Sequence, residues 1–194
     1  MILSVIIPVY NEEAHLEALL AEVFATHIKK EIIIINDGSS DRTKEVLDAI
    51  ECDFKKSQNP TVSALKIIHK KMNAGKGAAI ITGIPSATGD IVIIQDGDLE
   101  LNPKEYDKLL EPFEKMDADI VFGSRFQMAG VRRVFQTPKY LANRLLTILS
   151  NMASGIYLTD METCYKVFKR EIIQSFDLDS KRFGIEPELT AKSA

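Results

Sequence analysis

Short apolar runs alternate along this chain with stretches of helical period. The runs are Ile2–Ile7, Glu31–Ile35, Leu65–His69, Ile91–Ile94 and Ile120–Phe122. Each is rich in Ile and Val, continuous rather than alternating, and of strand length, as strands buried on both faces are. Between them, Leu16, Leu19, Leu20, Val23 and Phe24 recur on one face of a predicted helix. A second helix is predicted after Ser40 or Asp41 as N-cap, carrying Val46, Leu47 and Ile50. A third runs from Gly77 to about Ile84, and a fourth opens with Asn102 as N-cap and Pro103 at its first position. This β-α-β-α order predicts an α/β fold with a mainly parallel, Rossmann-like sheet and helices on both faces.

From Leu141 the pattern changes. A long amphipathic helix is predicted from Lys139 to Leu158, with Leu141, Leu145, Ile148, Leu149 and Met152 on one face. Asn143, Arg144 and Asn151 interrupt it, so it falls short of the roughly 18 apolar residues of a membrane span. Two placements are open: against a bilayer surface, with Lys139 and Arg144 beside the lipid, or packed on the sheet. A polar segment from Thr159 to Phe168 follows, then a short helix from Lys169. The chain stops in mid helical pattern, from Glu188 to Ala194, as a C-terminally truncated fragment would.

Length and composition narrow the class. A chain of 194 residues suits one domain with a real core. Its net charge of −4 supplies no basic stripe, which argues against a nucleic-acid partner. Cys52 and Cys164 lie far apart and make no disulfide framework or zinc spacing, so a reducing compartment is expected. Met1 leads straight into the first apolar run without the basic region of a secretory signal. The expected location is cytoplasmic, with a peripheral position at the cytoplasmic face of the membrane left open.

In open α/β sheets, ligands bind beyond the carboxyl ends of the strands. Five such ends here are polar or glycine-bearing: Pro8–Glu13, Asn36–Ser40, Asn73–Gly77, Asp96–Asp98 and Gly123–Arg125. The sharpest is Asp96-Gly97-Asp98, directly after a buried strand and Gln95. Two carboxylates one residue apart repel, and a hard dication relieves them through oxygen ligands. Gly97 leaves room for a ligand at the backbone. Asp37 is placed to accept hydrogen bonds from a base or ribose, or to cap a helix with Ser39 and Ser40. Tyr10 and Glu12 are candidates to wall a base slot, or form an ordinary loop and helix start. Lys76 stands in a glycine loop that lacks the Walker A pattern; it would counter phosphate charge or lie in solvent. Arg125 would grip a phosphate bidentately or pair with a nearby acid. His15, His27 and His69 have no visible nucleophile partner, which leaves a Ser-His-Asp or Cys-His site without support.

The ordered set Val5–Glu12, Ile35–Asp41, Asn73–Ala79, Gln95–Glu100 and Gly123–Phe126 resembles glycosyltransferase family 2, of GT-A fold. Within it, the set looks most like the polyprenyl-phosphate, dolichol-phosphate mannose synthase-like branch. The resemblance implies one GT-A domain over 1–194, with a nucleotide-binding half to about residue 125 and an acceptor-side half after it. It implies that Pro8, Tyr10, Glu12, Ile35 and Asp37 hold the nucleotide, with Lys76 and Gly97 beside it. Asp96 and Asp98 would hold Mg²⁺ or Mn²⁺ on the diphosphate of a UDP- or GDP-hexose, with Asp98 and Arg125 as the catalytic pair. Glu100 would join them at the metal, standing where this branch often has Gln as a metal or phosphate contact, and Gly97 stands where Ala is usual. Arg132, Arg133 and Asp160 would face a lipid-phosphate acceptor. A saccharide hydroxyl acceptor would instead need a base, for which Asp160 or Glu162 are candidates. A nucleotidyltransferase would carry a glycine-rich loop with Arg after the first strand, and a Rossmann dehydrogenase a G-x-G-x-x-G; neither is present. A GT-A module that binds nucleotide without turnover remains an alternative.

Overall fold

The structure, a computed structural model, describes residues 1–57, 59–125 and 137–194. Its strands are β1 (Leu3–Val9), β2 (Lys30–Asn36), β3 (Val62–His69), β4 (Ile91–Ile94), β5 (Ile120–Phe122) and β6 (Lys166–Lys169). The helices are α1 (Leu16–Ala25), α2 (Thr43–Lys56), α3 (Lys76–Gly83), α4 (Tyr106–Lys115), α5 (Thr137–Ser154), α6 (Arg170–Ser175) and α7 (Ile185–Lys192). The strands form one sheet in the order β3-β2-β1-β4-β6-β5. The first four run parallel, while β6 pairs antiparallel with both β4 and β5. The fold is the expected α/β, GT-A architecture. The sequence pattern assigns no element to Thr159–Phe168; its end forms β6, inserted antiparallel between β4 and β5 in an otherwise parallel sheet.

Successive residues of the central strands feed opposite faces, as the two-residue period of a strand requires. Leu3, Val5, Ile7 and Val9 pack with Leu16, Leu19, Leu20 and Val23 of α1, Leu47 of α2, and Tyr106, Leu109 and Leu110 of α4. Ile6, Ile33, Val92 and Ile94 pack on the other face with Ala79 and Ile80 of α3, Ile173 of α6, and Ile185 and Leu189 of α7. Each fully buried Ile or Leu contributes roughly 1.5–3 kcal/mol relative to exposure. Asn102 accepts the Lys104 N–H, so the predicted cap is present, ahead of a 3-10 turn that leads into α4. At α2 the helix begins one or two residues later than expected; Asp41 serves it by accepting the Thr43 N–H.

Pro8 lies inside β1 rather than ending it. The β1–β4 ladder stops at the Ile6–Ile94 pair, so the N–H that proline lacks removes no bond on that side. There β1 and β4 part, at the point where the strand order reverses, and a cleft opens.

At the opposite end of the sheet, Glu31 is buried and ties four segments together. It accepts the Ser4 hydroxyl at 2.7 Å, the Lys66 ammonium at 3.0 Å, the Thr88 hydroxyl at 3.0 Å and the Gly89 N–H at 3.1 Å. Burial alone would raise its pKa, but these hydrogen bonds outweigh that and lower it from 4.5 to about 2. A lowered carboxylate pKa adds stability that is complete above the unfolded value and lost as pH falls through the folded one. Wild-type stability is therefore expected to drop by on the order of 3 kcal/mol between pH 4.5 and pH 2 from this group. Urea unfolding across that range should show Glu31→Gln less stable at pH 7 and flatter with pH.

Candidate active site

The cleft between β1 and β4 is a pocket of about 500 Å³, within the range of small-ligand sites. Eight of the sequence-predicted residues line it: Pro8, Tyr10, Glu12, Asp37, Lys76, Asp96, Gly97 and Asp98. Val9, Asn73, Gly75 and Ala79 join them, together with Arg182 and Phe183 from the segment before α7.

The Asp96–Asp98 turn is held by the residue that precedes it. Gln95 is fully buried, and its Oε1 accepts the Tyr106 hydroxyl at 2.9 Å and the Tyr165 hydroxyl at 3.1 Å. Its Nε2 donates to the Asp96 carbonyl at 3.2 Å. A satisfied buried network of this kind pins the strand end that presents both carboxylates. Gly97 is packed as well as pocket-facing: a Cβ there would lie 3.1 Å from Val9 Cγ1 and 3.2 Å from the Pro8 carbonyl oxygen.

Charge is distributed unevenly across the pair. Asp96 Oδ1 sits 2.6 Å from the Lys76 ammonium, which also lies 2.8 Å from Glu186 Oε1 and 3.2 Å from Cys164 Sγ. Burial works against the charge on Lys76, but the two carboxylates outweigh it and raise the lysine above its ordinary range. Among the described residues no cation pairs with Asp98. Burial raises its pKa, the Glu100 N–H it accepts opposes this, and the charges of Asp96, Glu100 and Glu12 add to the rise. An electronegative turn of this kind is one that a cation relieves.

Other predicted residues have different places. Asp37 caps nothing with Ser39 or Ser40; its Oδ2 accepts the Ala74 N–H at 3.0 Å and the Gly75 N–H at 2.7 Å, and its Oδ1 meets the Lys70 ammonium at 2.5 Å. It therefore shapes the glycine loop from β2. Ile35 is fully buried beneath α3, where Gly83 makes room for it, and does not line the pocket. Glu100 is exposed and outside the lining, with its N–H turned to Asp98. Arg125 and Asp160 meet each other rather than the pocket. Arg125 donates from Nε to Oδ2 at 2.8 Å and from Nη2 to Oδ1 at 2.9 Å, and Asn143 adds a bond at 3.0 Å. Burial pushes Asp160 up, but those donors hold it below the usual carboxylate range, which makes it a poor base. Glu162 is pushed up, by burial first and then by Glu186. Arg132 and Arg133 lie outside the described residues.

Arg182, Phe183 and Glu186 join the site without a local sequence pattern that marks them. They follow no apolar strand, so the strand-end rule passes over them; the signal they leave is an Arg-Phe-Gly run before a helix start. Their segment is clamped onto the glycine loop. Gly75 has φ of +99°, and a Cβ on it would lie 2.7 Å from Arg182 Cγ; one on Gly77 would collide with the Ser180 carbonyl oxygen. The Ala78 N–H donates to the Lys181 carbonyl at 3.0 Å.

Residues 4–176 match the model of glycosyl transferase family 2. The chain belongs to that family. It is 28% identical to a dolichol-phosphate mannosyltransferase of Pyrococcus furiosus, over 99% of this chain and 53% of that protein. It is 33% identical to an undecaprenyl-phosphate 4-deoxy-4-formamido-L-arabinose transferase of Aeromonas hydrophila, over 90% of this chain and 51% of that protein. The chain spans about half of the length of these relatives. A glucosyl-3-phosphoglycerate synthase of Mycobacterium tuberculosis, in complex with Mn²⁺, UDP-glucose and phosphoglyceric acid, shares the fold. Its TM-score is 0.69 at 19% identity, over 96% of this chain and 62% of that one.

In this family 2 chain, the Asp37 contacts are expected to order the glycine loop. Asp37→Ala strands two backbone donors and the Lys70 ammonium, and should cost about 2–3 kcal/mol in urea unfolding. Hydrogen exchange at Ala74 and Gly75 should quicken in step; unchanged exchange would count against this role.

Proposed function

We propose that this domain binds a UDP- or GDP-linked hexose with a divalent cation and transfers the sugar, with inversion, to a polyprenyl phosphate. The observation that carries this reading is the pocket itself. Eight residues chosen on sequence grounds converge at the parting of β1 and β4, in a family 2 chain.

The donor set fits a dication of the Mg²⁺ type. Among the described residues no three acidic, His or Cys side chains form a ready-made metal cage. Such an ion does not need one, since it takes one or two carboxylates and completes its shell with water and substrate phosphate. Asp96 and Asp98 would hold it, and it would supply Lewis-acid neutralisation of the departing diphosphate. Lys76 adds a fixed positive charge at the same place, and Tyr10 offers an aromatic wall for the base. Arg182, also in the lining, offers a second cation for phosphate. Arg125, held by Asp160, acts as an anchor for the acceptor side. A phosphate monoester has a second pKa near 6 and is already a nucleophile at pH 7, so no general base is required. The enzyme's work is then to hold two anions within reach and offset their repulsion. Family 2 transfer to a saccharide hydroxyl is the second reading, favoured only by the raised proton affinity of Glu162.

The acceptor reading is supported by α5. Its polar residues Asn143, Thr147 and Asn151 bond inward, to Asp160, the Met161 N–H and the Leu158 backbone. Leu141, Leu145, Ile148, Leu149 and Met152 are exposed rather than packed on the sheet, which supports the surface placement. Among the described residues no helix is long and apolar enough to cross a membrane. An exposed apolar stripe is suited to the surface of a bilayer that carries the lipid acceptor.

Calorimetry with UDP and GDP, each with Mn²⁺ and with chelator, tests the donor site. Binding is expected to need the metal, and Asp98→Asn to weaken it by about tenfold or more without lowering the melting temperature. Equal affinity with and without metal would refute the assignment. For the lipid face, Leu145→Glu combined with Leu149→Glu should cut co-sedimentation with phosphatidylglycerol vesicles severalfold and leave nucleotide affinity unchanged.

A further inference from the structure

Glu186 lies in the first turn of α7 and is only 6% exposed. One of its oxygens meets Lys76; the other, Oε2, is buried with no hydrogen-bond partner among the described residues. A buried carboxylate with idle acceptor capacity is costly, and such groups persist where they do something. Its position is rigidly set. Ile185 and Leu189 anchor α7 in the core, and the preceding segment is clamped on Gly75 and Gly77. Lys76 is thus suspended between two carboxylates, Asp96 Oδ1 at 2.6 Å and Glu186 Oε1 at 2.8 Å. The third neighbour, Cys164, is neutral, because burial pushes its thiol up to about 12.

The arrangement solves a charge problem that the donor site creates. Asp96 has one carboxylate and two claimants, the lysine and the dication. If the lysine had no second anion, metal capture by Asp96 would strand a buried ammonium, at a large desolvation cost. We propose that Glu186 is a positioning residue that retains Lys76 while Asp96 turns from the lysine to the metal–diphosphate. The ammonium then stays charged and aimed across the pocket, and the site exchanges one ion pair for another. This rests on Asp96 being a metal-binding residue, as proposed above.

The test is an Mn²⁺ titration of nucleotide binding, with the tighter of UDP and GDP held fixed, in the wild type, Glu186→Gln, Lys76→Met and the double variant. Lys76→Met removes the competitor and should lower the Mn²⁺ midpoint. Glu186→Gln should raise it about tenfold, because Lys76 then clings to Asp96 alone. In the Lys76→Met background the same change should move the midpoint less than twofold, which a merely structural role would not predict. Glu186→Asp, which keeps the charge, should recover part of the loss; should Glu186→Gln fail to fold, the comparison is made with Glu186→Asp in both backgrounds. An unchanged midpoint in a folded Glu186 variant, or an equal shift with and without Lys76, overturns the proposal. In that case the wild type still needs Mn²⁺, whereas a wild type indifferent to Mn²⁺ would sink the donor-site reading and this inference together.

Discussion

Lys76 stands between Asp96 and Glu186, and this bridge joins the end of β4, the start of α3 and the start of α7. Each of the three segments arrives by a different route. Gln95 and its two tyrosines fix the first, Asp37 shapes the loop that leads to the second, and the Gly75 and Gly77 clamp fixes the third. The pocket takes its form from these fixed approaches rather than from the flexibility of its own side chains. An ammonium shared by two carboxylates in a half-closed cleft is held strongly, because the low dielectric there magnifies each attraction.

The same electrostatics explain how the two ends of the sheet differ. At the end away from the cleft, Glu31 is surrounded by donors and stays ionised to low pH. At the cleft, Asp98 has acids for neighbours and holds a proton more readily than usual. One carboxylate is ringed by donors; the other accepts the Glu100 N–H and has acids for its charged neighbours. The donor site proposed above would carry this kind of imbalance, while the scaffold carries the compensated charges.

The part of the chain after β5 is organised on a separate ion pair. Of the two partners expected for Arg125, a phosphate or a nearby acid, the second is present: Asp160, itself a candidate base, pairs with it. Asn143 of α5 joins them, so the helix with the exposed apolar stripe is tied to the strand end that carries Arg125. Lys166 completes this region: it is buried, and its ammonium donates to the Met161 and Thr163 carbonyls.

The chain's own pattern determined the parallel strands, because a strand buried on both faces must be a continuous apolar run. It also marked the polar strand ends, since function in such sheets collects beyond them, and eight of those residues share one pocket. Tertiary structure alone decided the rest. The β6 strand, Lys166-Val167-Phe168-Lys169, is too short and too polar at its ends to announce itself before it pairs with β4 and β5. Ile35 reads like its neighbours but points under α3 because strand side chains alternate. Arg182, Phe183 and Glu186 reach the cleft through backbone contact with a loop far away in sequence, and no local period records such an approach. Whether α5 shows its leucines to solvent or to the sheet was open for the same reason: an amphipathic period fixes which residues share a face, and only packing decides which face turns inward.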